Sequence, residues 1–576
     1  SNEGHAGFMG LERIRELVAD TGLAFEEALE AVRSTTVFTT HTPVPAGIDI
    51  YDGELMERYF SSFAKECATS FEEFLALGRA EPTGDTHSAS FNMALMGFKL
   101  AGRANGVSEL HGRVSRSLFS ALWSGITSDE VPIDHITNGV HTPTWLGPEI
   151  AEVFNRRLAP GWAEGGNARW DRIGEVPDAE LWRARERARE RLVYFVRDRI
   201  RARLAERGAT EHDLSLVDEF LDPSVLTIGF ARRFAQYKRA TLMLTDPERL
   251  KRLLLSSDRP VQFVISGKAH PRDDGGKDLI RRLVHFSRDP EIVGRLLFVE
   301  DYDMEVGRML TQGVDVWLNN PRRPLEACGT SGMKAALNGG LNCSVLDGWW
   351  NERYTGQNGW AIGTAHEIED PAEQDRVDAS AMYDVLEREV VPRFYDRSEG
   401  PVPRRWVERI KHSISSLGAF VSADRMVRDY VAQLYDPAAR QGEEMKGDSY
   451  GRARQLAEWK ARVLECWSDV AFVDVDGDVS AVQVGAQRSV TARLRTGRLA
   501  PVDVCVQLAH GLVGPSGALL QPQLADMTVQ EEEDGLVTYR GEFKAAAAGL
   551  YGFAVRVLPA HRDLSHRMEM GLTTWA

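Results

Sequence analysis

The sequence predicts an α/β protein that ends in a small β-sandwich, and three observations carry that reading. Between Ser224 and Asn338, short apolar runs alternate with helical stretches: SVLTIGF, VQFVISG, RLLFVE and VDVWLN are each followed by a helix candidate. Near-continuous apolar strands at that spacing indicate a mostly parallel sheet with both faces covered, hence a Rossmann-like domain. Residues 1–150 show the same alternation with shorter strands. Beyond about residue 470 the apolar period changes from 3.6 to 2, which points to a sandwich.

Along the chain, residues 32–40 (VRSTTVFTT) read as a strand on their β-branched content. His41-Thr42-Pro43-Val44-Pro45 ends it, because proline cannot continue the ladder. Asn92–Lys99 and Gly106–Phe119 read as helices. Ile133–Ile136 is a short strand leading into a loop from Thr137 to Pro143. Ligands in open α/β sheets collect at such strand ends. Ala179–Glu206 carries an apolar stripe (Leu181, Ala184, Ala188, Leu192, Phe195, Ile200) on a charged rod, with arginines and glutamates interleaved as i,i+4 partners. The four buried strands follow, with helices at Tyr237–Leu250, Lys277–Phe286, Val306–Gly313 and Ser331–Asn338. Residues 436–449 are polar and read as a surface link, and Arg452–Trp467 as a helix. The segments AVQVGAQRSVTARLRTG, PVDVCVQLAHG, LVTYRGEFKA and YGFAVRVLP supply the sandwich. The expected domains are 1–150, 151–448, a linking helix at 449–469, and 470–576.

A chain of 576 residues is too long for one hydrophobic core. Its net charge of −16 disfavours a general nucleic-acid or anionic-membrane binder, so an anionic substrate needs a local basic pocket. Cys67, Cys328, Cys343, Cys466 and Cys505 show no metal-ligand spacing, and scattered thiols fit a reducing cytoplasm. No signal peptide or membrane-spanning run is seen. Ser1 is not a Met and leads straight into a helical pattern (Phe8, Leu11, Ile14, Leu17), so sequence before Ser1 is expected.

The chemistry concentrates in LEACGTSGMKAALNGG, Leu325–Gly340. Lys334 is either a solvated surface amine or a Schiff-base lysine for an aldehyde cofactor. Gly329, Thr330, Ser331 and Gly332 permit close backbone approach at a helix start that can hold a phosphate. The run lacks the Walker pattern. A basic set, Arg232, Arg233, Lys238 and Arg239, follows a buried strand. It is either an ordinary surface helix or an anion site, to which arginine brings a fork and lysine a point charge. Glu326 either accepts sugar hydroxyls or sits in the field of a helix N-terminus. Tyr302, after a strand, either packs on a cofactor ring or closes the strand. No metal constellation is found.

These stretches resemble the pyridoxal-phosphate-dependent α-glucan (glycogen, starch, maltodextrin) phosphorylases, in their compact bacterial branch. The matching motifs are NEGHAGF, TTHTPVPAG, ANGVSELHG, TNGVHTPTWL, GFARRFAQYKR, GKAHP, EDYDMEVGRML and PRRPLEACGTSGMKAALNGG, which span most of residues 1–365. The resemblance implies a GT-B fold of two Rossmann-like domains, the first incomplete here, with a C-terminal β-sandwich. It implies a glycosyltransferase that reversibly phosphorolyses terminal α-1,4-glucosidic bonds of a glucan or maltodextrin. Inorganic phosphate is the co-substrate and α-D-glucose 1-phosphate, with retained configuration, the product.

Residue by residue, Lys334 matches the lysine that forms the Schiff base with pyridoxal 5'-phosphate. Arg233 and Lys238 match the holders of substrate phosphate, Lys238 also lying near the cofactor phosphate. Arg232 stands where a lysine often contacts that phosphate. Tyr302, Thr330 and Ser331 match cofactor contacts. Glu326, Ala327, Cys328 and Gly329 match the segment that binds the glucosyl hydroxyls, and His41 matches a histidine near the cleft. Cys328 replaces a common serine and reads as a small contact, not a nucleophile. A sugar-binding histidine beside ANGVS is missing: Gly102-Arg103 occupies that stretch, and His111 lies deeper in the next helix. The glycine-rich phosphate loop of the first domain is not found, so a separate N-terminal fragment is expected as a partner, along with a homo-oligomeric state and cytoplasmic location.

Two alternatives stay open. A GT-B nucleotide-sugar glucan synthase would also use basic residues and a glutamate, but does not need Lys334 in GTSGMK. An inactive glycogen-binding or regulatory chain would use the sandwich, against which Lys334, Arg233 and Lys238 stand intact.

Overall fold

A computed structural model describes residues 1–80, 90–158, 162, 169–533 and 535–576. The chain divides into two compact units. One comprises Val107–His111 and His135–Tyr430, the other Ser1–Gly106, Gly112–Asp134 and Val431–Ala576.

The first unit is built on a six-stranded parallel sheet: β1 (Leu226–Ala231), β2 (Val261–Ser266), β3 (Leu296–Val299), β4 (Val316–Asn319), β5 (Leu341–Val345) and β6 (Gly359–Ile362). Its order is β6-β5-β4-β1-β2-β3, the doubly wound Rossmann order, with the switch point between β1 and β4. Every residue of β1, β2, β4 and β5 is buried, the signature of strands covered on both faces. β1 meets β4 at only two register positions, Ile228 opposite Val316 and Gly229 opposite Trp317.

The long helix α1 (Asp178–Glu206) is pinned to this sheet, and its arginines correct the expectation of i,i+4 glutamate partners. Arg185 is 1% exposed and donates to the carbonyls of Gln312, Asn338, Gly313 and Val314. Arg189 pairs with Asp315 at 2.6 Å, whose other oxygen accepts from the Thr227 N–H. These guanidiniums satisfy buried carbonyls around the turn into the central strand β4.

Two other expectations change here. Tyr237–Leu250 is not one helix but two 3₁₀ turns, Gln236–Lys238 and Leu242–Leu244, before a helix at Pro247–Leu254. Arg239 adopts a left-handed φ of 49° that interrupts it, and Asp246 caps the later helix ahead of Pro247. The Thr137–Pro143 loop ends early because Thr142–Trp145 is a short helix.

In the second unit, Val37–Thr39 pairs in parallel with Arg103–Gly106. The strand expected over 32–40 is cut to these three residues. Val32, Arg33 and Ser34 end the helix Phe25–Ser34, whose buried stripe (Ala28, Leu29, Val32) overrides the β propensity of Val32. Residues 436–449 are not a simple link: a helix spans Asp436–Cys466, broken at Gly447–Tyr450.

The tail forms two antiparallel four-stranded sheets. Its strands are β7 (Ala471–Gly477), β8 (Gln487–Arg495), β9 (Val504–Val513), β10 (Leu519–Asp526), β11 (Thr528–Glu533), β12 (Leu536–Lys544), β13 (Tyr551–Pro559) and β14 (Thr574–Trp575). The orders are β7-β8-β12-β11 and β10-β9-β13-β14. Val490, Ala492 and Leu494 of β8 alternate into the core with Val537, Tyr539 and Phe543 of β12. The predicted α/β class with a terminal β-sandwich is thus observed. Among the described residues no helix is long and apolar enough to cross a membrane.

Candidate active site

The site gathers at the carboxyl ends of β1, β4 and β5, beside the switch point where such sheets bind ligands. Arg232 follows β1 directly, and Lys238 closes the turn after it. Glu326 lies in the loop after β4, and its carboxylate is the meeting point. It accepts from Lys238 Nζ at 2.8 and 3.0 Å and from the Arg232 guanidinium. All three side chains are close to fully buried. Burial opposes the charge on Glu326, yet Arg232 and then Lys238 hold its carboxyl below the usual range. Burial, followed by the charge on Arg232, brings Lys238 down to about 8. Its ammonium also lies 4.8 Å from the centre of the Tyr237 ring. The alternative in which Glu326 simply rests in a helix field gives way to this buried triad.

Arg232 is incompletely satisfied. Its Nε and Nη1 are buried and lack a hydrogen-bond partner among the described residues. Two orphaned guanidinium donors beside a lysine are what an absent anion would complete. Arg233 is exposed, and its charge is felt at Tyr237 and Lys238. Arg239 leaves the set. It is 4% exposed and donates to the Asn320 and Pro321 carbonyls and to Asp378 at 2.7 Å, so it braces the β4 loop.

The helix α2 (Thr330–Leu337) starts after Gly329, which holds φ 83° and provides no side-chain cap. A left-handed residue here favours glycine and leaves the first-turn N–H groups open. Ser331 Oγ accepts from Trp317 Nε1 at 3.1 Å, and Thr330 is half-buried at the first position. Lys334 stands one turn further on. Its ammonium sits 3.5 Å from the centre of the Trp145 ring and has no hydrogen bond or ion pair among the described residues. Burial alone brings it down to about 8, so an appreciable fraction is the free amine near neutral pH, the form that attacks an aldehyde.

The loop before α2 has a distinctive backbone. Ser108 Oγ donates to the Ala327 carbonyl at 2.6 Å, and the Trp349 N–H donates to the Cys328 carbonyl at 3.1 Å. The N–H groups of Ala327, Cys328 and Gly329 have no partner among the described residues. Cys328 is buried, and burial pushes its thiol far up, so it is no nucleophile. Tyr302 follows β3, half-buried against a cluster that includes Trp317 and Ala335. His41 belongs to the other unit, where its Nε2 meets Asn2 Oδ1 at 2.6 Å.

Two residues at this site were not singled out from sequence. Trp145 lies in TNGVHTPTWL, a stretch matched as a family motif but with no role given to its tryptophan. Asp347 lies two residues past the wholly buried β5, and that position, a carboxylate just after an apolar run, was the available signal. It is 1% exposed, and burial and the nearby Glu326 charge push it up to about 7.

The sequence was compared with known proteins. The family model for carbohydrate phosphorylase matches residues 1–388, and that for the glycogen phosphorylase C-terminal domain matches residues 467–576. The chain belongs to the carbohydrate phosphorylase family. It is 48% identical over 579 residues to a glycogen phosphorylase of Mycobacterium tuberculosis, covering 100% of this chain and 67% of that protein. It is 39% identical over 581 residues to a maltodextrin phosphorylase of Thermococcus litoralis, covering 100% of this chain and 66% of that relative. A glycogen phosphorylase of Aquifex aeolicus is 42% identical over 436 residues, 75% of this chain and 62% of the relative. The phosphorylase chain described here thus spans about two thirds of the length of these relatives.

The donor set fits the cofactor expected of such a phosphorylase. A phosphorylated aldehyde needs an amine that is neutral often enough to react, a surface for its ring and donors for its phosphate. Lys334 over Trp145, the uncapped start of α2 and the orphaned donors of Arg232 supply these.

Proposed function

We propose that the protein reversibly phosphorolyses terminal α-1,4-glucosidic bonds of glucans, releasing α-D-glucose 1-phosphate with retained configuration. The observation that carries this is the buried Arg232–Glu326–Lys238 cluster, with two guanidinium nitrogens unmet among the described residues, in the same strand-end loop region that leads into Lys334. It provides for an anion and a polyhydroxylated ligand in one place. The enzyme is of glycosyltransferase type, and its cofactor is pyridoxal 5'-phosphate, held by Lys334 with Arg232, Lys238, Tyr302, Thr330 and Ser331 around it.

When bound, the cofactor supplies a phosphate group whose proton is mobile near neutral pH. Arg233 and Lys238 bind inorganic phosphate and offset the charge that brings two phosphates together. Glu326 and the open N–H groups of Ala327, Cys328 and Gly329 hold the terminal glucosyl hydroxyls. Lys238, near its midpoint at about pH 8, exchanges a proton at Nζ with the anion it holds. Inorganic phosphate then protonates the leaving glucan oxygen and bonds to the same face of the glucosyl carbon, so configuration is kept.

The glucan is glycogen or maltodextrin, and the enzyme works as a homo-oligomer. The test is to load the protein with pyridoxal 5'-phosphate, supply maltodextrin and inorganic phosphate, and follow product by phosphorus NMR. Appearance of α-glucose 1-phosphate, dependent on Lys334, is the expected result. Free glucose as the only product would overturn the proposal.

A further inference from the structure

We infer that Asp347 is a positioning residue that sets the glucosyl-binding loop Glu326–Gly329 in register from behind, through the loop's backbone. This rests on the glucan reading of the site just given.

The geometry is a clamp between two strand ends. Asp347 Oδ2 accepts the Glu326 N–H at 3.0 Å, and Oδ1 accepts the Gly348 N–H at 2.8 Å. Its two oxygens thus tie the start of the loop to the turn after β5. The next residue but one closes the other end, where the Trp349 N–H donates to the Cys328 carbonyl at 3.1 Å. Arg323 adds a third tie, donating to the Leu346 carbonyl and to Asn351 Oδ1 at 2.8 Å.

Gly348 shows how tightly the two segments meet. Its φ is 52°, and a Cβ there would lie 2.3 Å from the Cys328 carbonyl oxygen. No side chain fits between them without moving the loop.

The consequence is directional. The Glu326 N–H and the carbonyls of Ala327 and Cys328 are all taken from the protein side. The N–H groups of residues 327–329 are left without partners among the described residues, and the Glu326 side chain is free to meet Arg232 and Lys238. A carboxylate that is 1% exposed cannot touch a ligand directly. It acts by fixing which groups of the loop remain available, and small misplacements of such groups are costly.

The test uses the cofactor-loaded enzyme with Asp347→Asn, Gly348→Ala, Glu326→Gln and the Glu326→Gln/Asp347→Asn double variant. The asparagine amide keeps one acceptor but sets its NH₂ against one of the two N–H groups, of Glu326 or of Gly348, donor against donor. Binding of D-glucose and of inorganic phosphate is measured separately by calorimetry, beside KM and kcat for glucose 1-phosphate. The expected result is a roughly tenfold loss of D-glucose affinity in Asp347→Asn, about 1.4 kcal/mol, with phosphate affinity within about twofold. Gly348→Ala, which keeps the carboxylate, should reproduce that split. The double variant should lose clearly less than the sum of the two single losses, since one residue works through the other. Additive losses, or equal losses for glucose and phosphate, would show a merely structural role and overturn the inference alone. Failure of the wild-type enzyme to bind D-glucose would overturn the reading of the site and this inference with it.

Discussion

Replacing Glu326 with alanine strips two buried cations of the carboxylate they share. Lys238 Nζ lies 2.8 and 3.0 Å from its oxygens, and Arg232 donates to it as well. Breaking a buried pair by removing one partner costs about 3–5 kcal/mol, because the remaining charge is left uncompensated. At the usual per-residue unfolding entropy, this is a fall of roughly 5–8 °C in the midpoint of a unit of this size. Part of the cost is relieved by deprotonation. Lys238 already titrates at about 8 with Glu326 raising it, so without Glu326 it loses its proton at lower pH. Inorganic phosphate can restore the missing negative charge between Arg232 and Lys238. It should therefore raise the midpoint of Glu326→Ala more than that of the wild type, by mass action on the folded state. Glu326→Gln, which keeps an acceptor but no charge, should fall between the two. Calorimetric melts with and without phosphate at equal ionic strength decide this. Equal phosphate stabilisation of wild type and alanine variant would refute the idea that phosphate can take the place of the missing charge between Arg232 and Lys238.

Borohydride treatment of the cofactor-loaded enzyme followed by peptide mapping should place the label on Lys334, and Lys334→Ala should fold but take none; label on Lys238 or Lys268 would contradict the assignment. The amine of Lys334 titrates at about 8, so the rate at which apoprotein takes up pyridoxal 5'-phosphate should rise with pH and level off above about 8, where an ordinary lysine near 10.4 would still be climbing. Arg233→Ala should cut turnover with phosphate far more than binding of neutral maltodextrin, with only partial recovery in Arg233→Lys, in kinetics with each substrate varied; Arg239→Ala, whose guanidinium is bound to Asp378 and two carbonyls, should instead lower the melting midpoint. Asp347 holds a proton up to about pH 7 in the fold but only to about 3.9 when unfolded, so its contribution is fully present below about pH 4 and lost as pH rises to 7; urea melts of Asp347→Asn across that window should show a flatter slope than wild type.

Much of the sheet was legible because its strands are buried on both faces. Within SVLTIGF and VQFVISG the strands themselves have no exposed position to blur the apolar run: all six residues of β1 and of β2 are buried. β8 and β12 were legible for the opposite reason, since one face is wet and alternation survives. β10 and β11 were not: LLQPQLAD and TVQEEE are largely or wholly exposed, so no burial pattern marks them. At residues 32–34 the β-branched signal lost to a helix whose apolar stripe packs better than a strand would. At the site, Lys334 and Glu326 were readable from a motif, but the partners of Glu326 lie 88 and 94 residues away in sequence, and no local pattern encodes such a pairing.

The four basic residues after β1 show why residue type alone did not sort function from scaffold. Arg232, Arg233, Lys238 and Arg239 lie within eight positions of one strand end, yet the chain's path there sends them in different directions. Arg232 and Lys238 turn inward to Glu326. Arg233 alone is exposed. Arg239, placed by its left-handed backbone, drops beneath the turn and fills its donors on Asn320, Pro321, Asp375 and Asp378. Of the three arginines, Arg239 has each of its guanidinium nitrogens bonded among the described residues, which is what a scaffold role requires. Arg232 keeps two buried nitrogens unmet among the described residues, an expense that folding alone gives no reason to retain. The distinction between the neighbours is therefore one of satisfaction, not of charge, and the unsatisfied residue is the one the anion should find.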